Sequence, residues 1–554
     1  MNMLSLTSLP QFTRNTKRFT EIVSILGKYG LANWISENDP EFLRNFFRSA
    51  QGVQLSNLSQ EARLRLALTE LGPTFIKLGQ ILSTRADLVG PAFAREFAGL
   101  QSDIPPDPPE VIRAVIAEEL GQPVERLFAA FEDQPIGSAS IGQAHRATLP
   151  DGQRVVVKVQ HQGIEEKVTN DLDILMALAE LAEQYDETLQ AYQPRATLAE
   201  FRRNLLRELD FTRERRNLEE FARNFAGDRA IHIPKPFPEL SARRVLTMEM
   251  LDGMSIRHVA EIEAQGVNTK ELATRCANIY LNMIFRDRFF HADPHPGNIW
   301  VLRDGVVGLL DCGMIGRIDA HTRGEVERML LSAVEKDAEQ LADVVVRIGT
   351  MPQGLNRDAL RADIDEFVAE YLGQSLQDFD LSGALEGLTE IIRQYHILLP
   401  PGLSSLLKGL VMLEGTSRSL SRDFSLIDLL RPYYANAMKR RLSPEKFLLR
   451  LRRSYQDWDR LLNMLPQELA DILRRIRDGK FDVNLEHRRL DAIVNRLVYG
   501  IVTAALFVGS CLLVSQRIPP VIQGISLPGA VGCLAACGLG FRLLQAIKRS
   551  GNLE

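Results

Sequence analysis

Asp293, Asn298 and Asp311 follow one another with four residues between the first pair and twelve before the last. The first two lie in His291-Ala-Asp-Pro-His-Pro-Gly-Asn298, the third in Leu310-Asp-Cys-Gly313. An acid, an amide and an acid so placed could serve phosphoryl transfer, which asks a protein for positioning and electrostatics more than for covalent chemistry. Asp293 would orient a nucleophile, and the oxygens of Asn298 and Asp311 would hold Mg²⁺ against the phosphates of ATP. A loop closed by Pro, Gly and Asn turn chemistry, with Asp311 capping the next turn, would hold the same residues without catalysis. Apolar runs at 279–285 and 306–310 set the acids at the ends of buried elements and favour the chemical reading.

The upstream chain holds the elements that would position such a site. Gly137-Ser138-Ala139-Ser140-Ile141-Gly142 reads as Gly-x-Ala-x-x-Gly, a phosphate loop with its middle glycine replaced by alanine. Small residues there let backbone N–H groups approach phosphate oxygens, although an ordinary hairpin turn has the same composition. A strand at 143–149, a Pro150-Asp151-Gly152 turn and a second strand, Arg154-Val-Val-Val-Lys158-Val, follow. Loop, turn and strand lysine, then Asp-x₄-Asn and Asp-x-Gly, is the order found in protein kinases. On that reading Lys158 neutralises the α/β-phosphates and pairs with a helix glutamate. The competing reading is a strand-edge lysine pointing to water.

Two further segments make the pattern specific. One is Phe75-Ile-Lys77-Leu-Gly79-Gln80, the other Glu208-Leu-Asp210-Phe-Thr-Arg-Glu214. With the loop, the strand lysine and the acid–amide–acid set, the chain resembles the UbiB/AarF family of atypical protein-kinase-like (ABC1-type) proteins, through its KxGQ and ExD motifs. The resemblance implies Asp293 as catalytic base, Lys158 on the phosphates, Glu214 as its ion-pair partner, and Asn298 and Asp311 as Mg²⁺ ligands. It implies that Lys77, Gly79 and Gln80 lie on an extra helix folded over the nucleotide pocket, held there by Glu208 and Asp210. The strand 245–250 resembles a kinase hinge, where backbone groups of Glu249 and Met250 would hold adenine. Such a cover implies ATP hydrolysis, or action on a small or lipid-like partner, rather than ordinary protein phosphorylation. Gly137 departs from the family's alanine, and Cys312 stands where kinases place Phe; Cys312 reads as a small hydrophobe. His291 reads as an organiser of the loop backbone.

A chain of 554 residues with 45% hydrophobic and 25% charged residues fits a globular protein with a membrane part. A net charge of −5 gives no argument for nucleic acid. Cys276, Cys312, Cys511, Cys533 and Cys537 show neither metal spacing nor a secretory framework, and the first 40 residues lack the apolar core of a signal peptide. Residues 497–515 form an uncharged run long enough for a membrane helix, and a second, Gly- and Ala-rich run at 521–541 is interrupted by Pro528. Arg488, Arg489 and Arg496 before the pair, and Arg542, Lys548 and Arg549 after it, set both ends in the cytoplasm. A buried hairpin of a soluble domain is the alternative.

The expected fold is α+β: a bilobal protein-kinase-like fold with a helical N-terminal extension and a C-terminal transmembrane helical hairpin. The expected divisions are the extension at 1–130, a kinase-like N-lobe at 131–251, a C-lobe at 252–440, a basic helical linker at 441–494 and the hairpin at 495–545. The expected function is a membrane-anchored atypical kinase or ATPase using ATP and Mg²⁺, with two transmembrane helices and its kinase-like part on the cytoplasmic side of an inner, plasma or thylakoid membrane. The resemblance adds prenylquinone biosynthesis or lipid homeostasis, and as partners ATP/ADP, membrane lipids or prenylquinone intermediates, and quinone-biosynthesis proteins. Two rival classes stay open: a small-molecule phosphotransferase of the aminoglycoside or choline kinase type, and a non-catalytic ATP-binding scaffold.

Overall fold

The computed structural model describes residues 16–31, 58–100, 104–185, 193–352, 354–371, 381–426, 428–430, 432–433, 490–516, 518–522 and 525–549. The basic stretch expected at 441–494 lies, up to residue 489, outside the described residues. The chain divides into two compact units, Met1–Ser443 and Pro444–Glu554. In the first unit, helices α1 (Gln60–Leu71) and α2 (Pro73–Leu82) precede a sheet built on strands β1 (Ala130–Phe131), β2 (Gly137–Ser138), β3 (Gly142–Thr148), β4 (Arg154–Gln160) and, further on, β6 (Val245–Glu249). Its order is β1-β3-β4-β6, with β2 also on β3, all antiparallel.

Period-2 alternation sets the sheet's faces. Val155, Val157 and Val159 of β4 are fully buried against Ile112, Val115 and Ile116. Lys158 therefore points to the opposite face. Gly142 is required where it stands, because a Cβ there would overlap the Val159 carbonyl across the β3–β4 ladder. Between β4 and β6 runs α3 (Phe211–Asn224), whose buried residues Phe211, Glu214, Leu218 and Phe221 follow helical spacing. Glu214 thus lies on the apolar face, a placement a carboxylate tolerates only with a partner.

The second sheet is β5 (Ile231–His232), β10 (Val307–Leu309), β9 (Ile299–Leu302) and β7 (Gly253–Ser255), and a separate pair joins β8 (Phe289–His291) to β11 (Ile315–Arg317). The β8-to-β9 connection carries Asp293 and Asn298; the β10-to-β11 connection carries Asp311. Because β9 pairs with β10 and β8 with β11, both connections emerge side by side. Behind them lie α4 (Thr269–Asn282) and α5 (Pro401–Leu420), packed in one large core.

The second unit contains α6 (Leu490–Ser515), a short strand pair, β12 (Val521–Ile522) with β13 (Ile525–Ser526), and α7 (Leu527–Arg549). The helices pack antiparallel through small residues: a Cβ on Gly529 or Gly532 would collide with Ser510. Val498, Ile501, Val502, Phe507, Val508 and Leu512 face outward. Among the described residues, Val498–Ser515 is the one segment long and apolar enough to cross a membrane; two had been expected. The second run falls short because Val521 and Ile522 pair as a strand, so its apolar helical part is only Leu527–Leu543. Pro528 sits in the first turn of α7, where a missing N–H costs nothing.

Candidate functional site

Three segments converge on Lys158. Its Nζ donates to Glu214 Oε1 at 2.7 Å and lies 3.7 Å from Asp311 Oδ1. Burial works against the ammonium, but Asp311 and then Glu214 outweigh it and raise its pKa. Lys158 in turn is the main cause holding the Asp311 carboxyl below the usual carboxylate range, helped by Lys77 and the Gly313 N–H. Glu214, 5% exposed, is pushed the other way by burial, which the lysine only partly offsets. Asn217, one turn along α3 from Glu214, donates to the Cys312 carbonyl at 2.9 Å. The helix is therefore tied to the Asp311 connection at two points. Cys312 is fully buried, and burial raises its thiol pKa, as a small hydrophobe requires.

The connection holding Asp293 is organised by His291, buried at the end of β8. The His291 Nδ1 accepts from the Asp293 N–H at 3.2 Å and its Nε2–H donates to the Asp311 carbonyl, so one ring joins both connections. Asn298 donates its Nδ2 to the Asp293 carbonyl at 3.2 Å, which turns its Oδ1 outward. That oxygen and the Asp311 carboxylate are hard donors suited to Mg²⁺, which takes few protein ligands and fills its octahedron with water and phosphate. Among the described residues, no group of three or more His, Cys, Asp or Glu side chains is placed to hold a metal.

Of the cover residues, Lys77 meets the acids. Its Nζ lies 2.7 Å from Glu208 Oε2, and Glu208, Asp311 and Asp293 together raise its pKa against burial. Gln80 donates to the Leu100 carbonyl at 3.3 Å, and a Cβ on Gly79 would overlap the Leu100 side chain, so both fix α2 in place. Asp210 does not join Lys77, contrary to expectation. It caps α3, accepting from Thr212 N at 3.1 Å and Thr212 Oγ1 at 2.6 Å. An aspartate two residues before a helix's second N–H finds that donor first.

In the glycine-rich segment, Gly137 and Ser138 form β2, while the Ala139 N–H is spent on the Gly142 carbonyl. The N–H groups of Ser140 and Ile141 have no acceptor among the described residues and are the two free to meet a phosphate. An Asp107–His161 pair at 3.1 Å, with His161 Nε2 2.9 Å from the Ala139 carbonyl, holds the segment. At the hinge, the N–H groups of both Glu249 and Met250 are engaged, by the Lys235 and Arg154 carbonyls, and the Glu249 carboxylate accepts from His232. Of the backbone groups expected to hold adenine, these two N–H groups are thus already engaged within the protein.

Asn217 could have been found from its position three residues after Glu214 on the same helix face. The Asp107–His161 pair, and Lys408, whose Nζ stands 3.7 Å from Asp293 Oδ1, carried no signal in spacing.

The strand lysine, its helix glutamate and the paired Asp293 and Asp311 connections define a protein-kinase-like arrangement. Residues 99–345 match the ABC1 atypical kinase-like domain, 364–425 the UbiB helical domain and 484–549 the ABC1/UbiB kinase-like C-terminal domain. The chain is 35% identical to a probable protein kinase UbiB of Marinobacter nauticus, covering 84% of this chain and 86% of that one. It is 34% identical to the Xanthomonas campestris pv. campestris counterpart, over 83% and 85%. It is 30% identical to an uncharacterized protein from the hydrogenase 1 5′ region of Clostridium pasteurianum, over 97% and 99%. The chain belongs to the UbiB/ABC1 family of atypical kinase-like proteins.

Proposed function

We propose that this chain is a membrane-anchored, Mg²⁺- and ATP-dependent atypical kinase or ATPase of the UbiB type, acting in prenylquinone biosynthesis or lipid homeostasis. The observation that carries the chemistry is the charge constellation: Lys158 between Glu214 and Asp311, with Asp293 and Asn298 on the adjoining connection. In this reading Lys158 takes the α/β-phosphates, the Ser140 and Ile141 N–H groups bind phosphate oxygens, Asp293 orients the nucleophile, and Asn298 and Asp311 hold Mg²⁺. The metal, when bound, neutralises charge on the phosphates. The Lys77–Glu208 pair supports a covered site, which suits water, a small alcohol or a lipid-like acceptor better than a protein side chain. The apolar helix Val498–Ser515 supports anchoring, with the flanking arginines on the cytoplasmic side.

ATP turnover by the full chain in liposomes, compared with Asp311→Asn, tests the proposal. Turnover lost in Asp311→Asn, with ADP still bound, is expected. Equal inertness of the two proteins with equal nucleotide binding would leave a scaffold instead.

A further inference from the structure

Lys408 reaches Asp293 from α5, downstream of both sheets. Its Nζ donates to Ser83 Oγ at 3.0 Å, besides standing 3.7 Å from Asp293 Oδ1, and its side chain is 15% exposed. Ser83 ends α2, the helix of Lys77, and its hydroxyl donates to the Gln80 carbonyl at 2.6 Å. The next residue, Gly409, packs so closely on Tyr280 that a Cβ would overlap the phenol oxygen, and that hydroxyl donates to the His291 carbonyl at 3.0 Å. The ammonium is therefore held at a set point between the cover helix and the Asp293 connection.

Its resting contacts do not account for its position. Burying an ammonium is costly unless it is tightly paired, and 3.7 Å to one carboxylate is beyond a good hydrogen bond. Burial accordingly lowers its pKa, and Asp293 only partly restores it. The other two lysines of the site are committed, Lys158 to Glu214 and Asp311, Lys77 to Glu208. Residues 294–297 are Pro-His-Pro-Gly, and Arg257, which lies against them, is engaged with the His295 ring at 2.8 Å. Phosphoryl transfer spreads negative charge over the equatorial oxygens of the moving group, between the nucleophile's carboxylate and the metal. Lys408 places a cation beside Asp293.

We propose that Lys408 is the cation that binds the γ-phosphate: with nucleotide present, its ammonium exchanges the long contact to Asp293 for a phosphate oxygen while Ser83 retains its hydrogen bond. This rests on the ATP reading above.

The test uses the full chain in detergent micelles, with Lys408→Met and Lys408→Arg, titrated with Mg²⁺-ADP and with a non-hydrolysable Mg²⁺-ATP analogue by calorimetry, and assayed for turnover. Lys408→Met should bind ADP within about twofold of wild type yet lose the preference for the triphosphate by about tenfold, the worth of one charge-assisted hydrogen bond. Its kcat should fall about 10²-fold, as when one transition-state donor is removed. Lys408→Arg should recover most of the triphosphate preference. An unchanged triphosphate-to-ADP ratio overturns the assignment. So does a parallel fall in both affinities with a lower melting temperature, which would make Lys408 a structural tie. Faster turnover in Lys408→Met would also overturn it and make the lysine a restraint on Asp293. If wild type binds neither nucleotide, the ATP reading itself fails; if it binds both without turnover, only the catalytic part of that reading fails and the binding ratio still decides Lys408.

Discussion

Replacing Lys158 by methionine should cost more stability than replacing Glu214 by glutamine, although the two residues share one ion pair. The lysine faces two carboxylates, at 2.7 Å and 3.7 Å, whereas Glu214 faces one cation. At an effective dielectric of about 20, unit charges at those separations attract by about 6 and about 4.5 kcal/mol before desolvation is subtracted. In Glu214→Gln the ammonium keeps Asp311, so the loss should be about 2 kcal/mol, below the usual range for a broken buried pair. In Lys158→Met a buried and a half-exposed carboxylate are left facing each other, and the loss should reach about 4 kcal/mol. Urea unfolding, followed by the fluorescence of Trp300 on β9, measures both. The pH dependence has a defined sign. The Asp311 carboxyl is held below its unfolded value, so its contribution is present above about pH 4 and is lost as pH falls through the depressed value. Lys158→Met removes the first cause of that depression, so the gap to wild type should narrow below about pH 4. Equal losses in the two variants, a larger loss in Glu214→Gln, or a gap indifferent to pH would refute the reasoning.

A double-mutant cycle on Lys77→Ala and Glu208→Ala should give a coupling of about 1–2 kcal/mol, because both side chains are largely buried; Lys77→Ala should also speed nucleotide exchange, read by stopped-flow fluorescence. Gly142→Ala should destabilise by about 2 kcal/mol in the same urea assay, since its Cβ would meet backbone that cannot move without parting β3 from β4. Gly137→Ala, with open space around it, should be neutral. Cys511 and Cys533 have sulfurs 3.9 Å apart, so mild oxidation of the membrane-reconstituted chain should join them within one molecule, seen by mass spectrometry of the hairpin peptides; no such link would contradict the packing of α6 on α7.

Much of the site was legible because its parts lie on short stretches with strong local rules. The β-branched run around Lys158 could only be a strand, and alternation then set the lysine opposite Val157. The helix that carries Glu214 came with the family resemblance, and the structure shows Glu214 buried on it beside Phe211, Leu218 and Phe221. The hinge was less legible, since the carbonyls that take the Glu249 and Met250 N–H groups come from Lys235 and Arg154 on other segments. The second apolar run misled for a related reason: hydropathy counts Val521 and Ile522 alike in helix or strand, and a turn decides between them.

By itself the amino-acid order determined the acids, the amide, the strand lysine and the apolar terminal helix, all features carried by neighbours within a few residues. Only the tertiary structure decided the partners. Lys77 takes Glu208 and leaves Asp210 to a helix cap, while Lys408 arrives at Ser83 from 325 positions away. The difference is physical: periodicity and capping act over one or two turns of chain, whereas an ion pair requires only proximity in space, which packing of whole helices supplies.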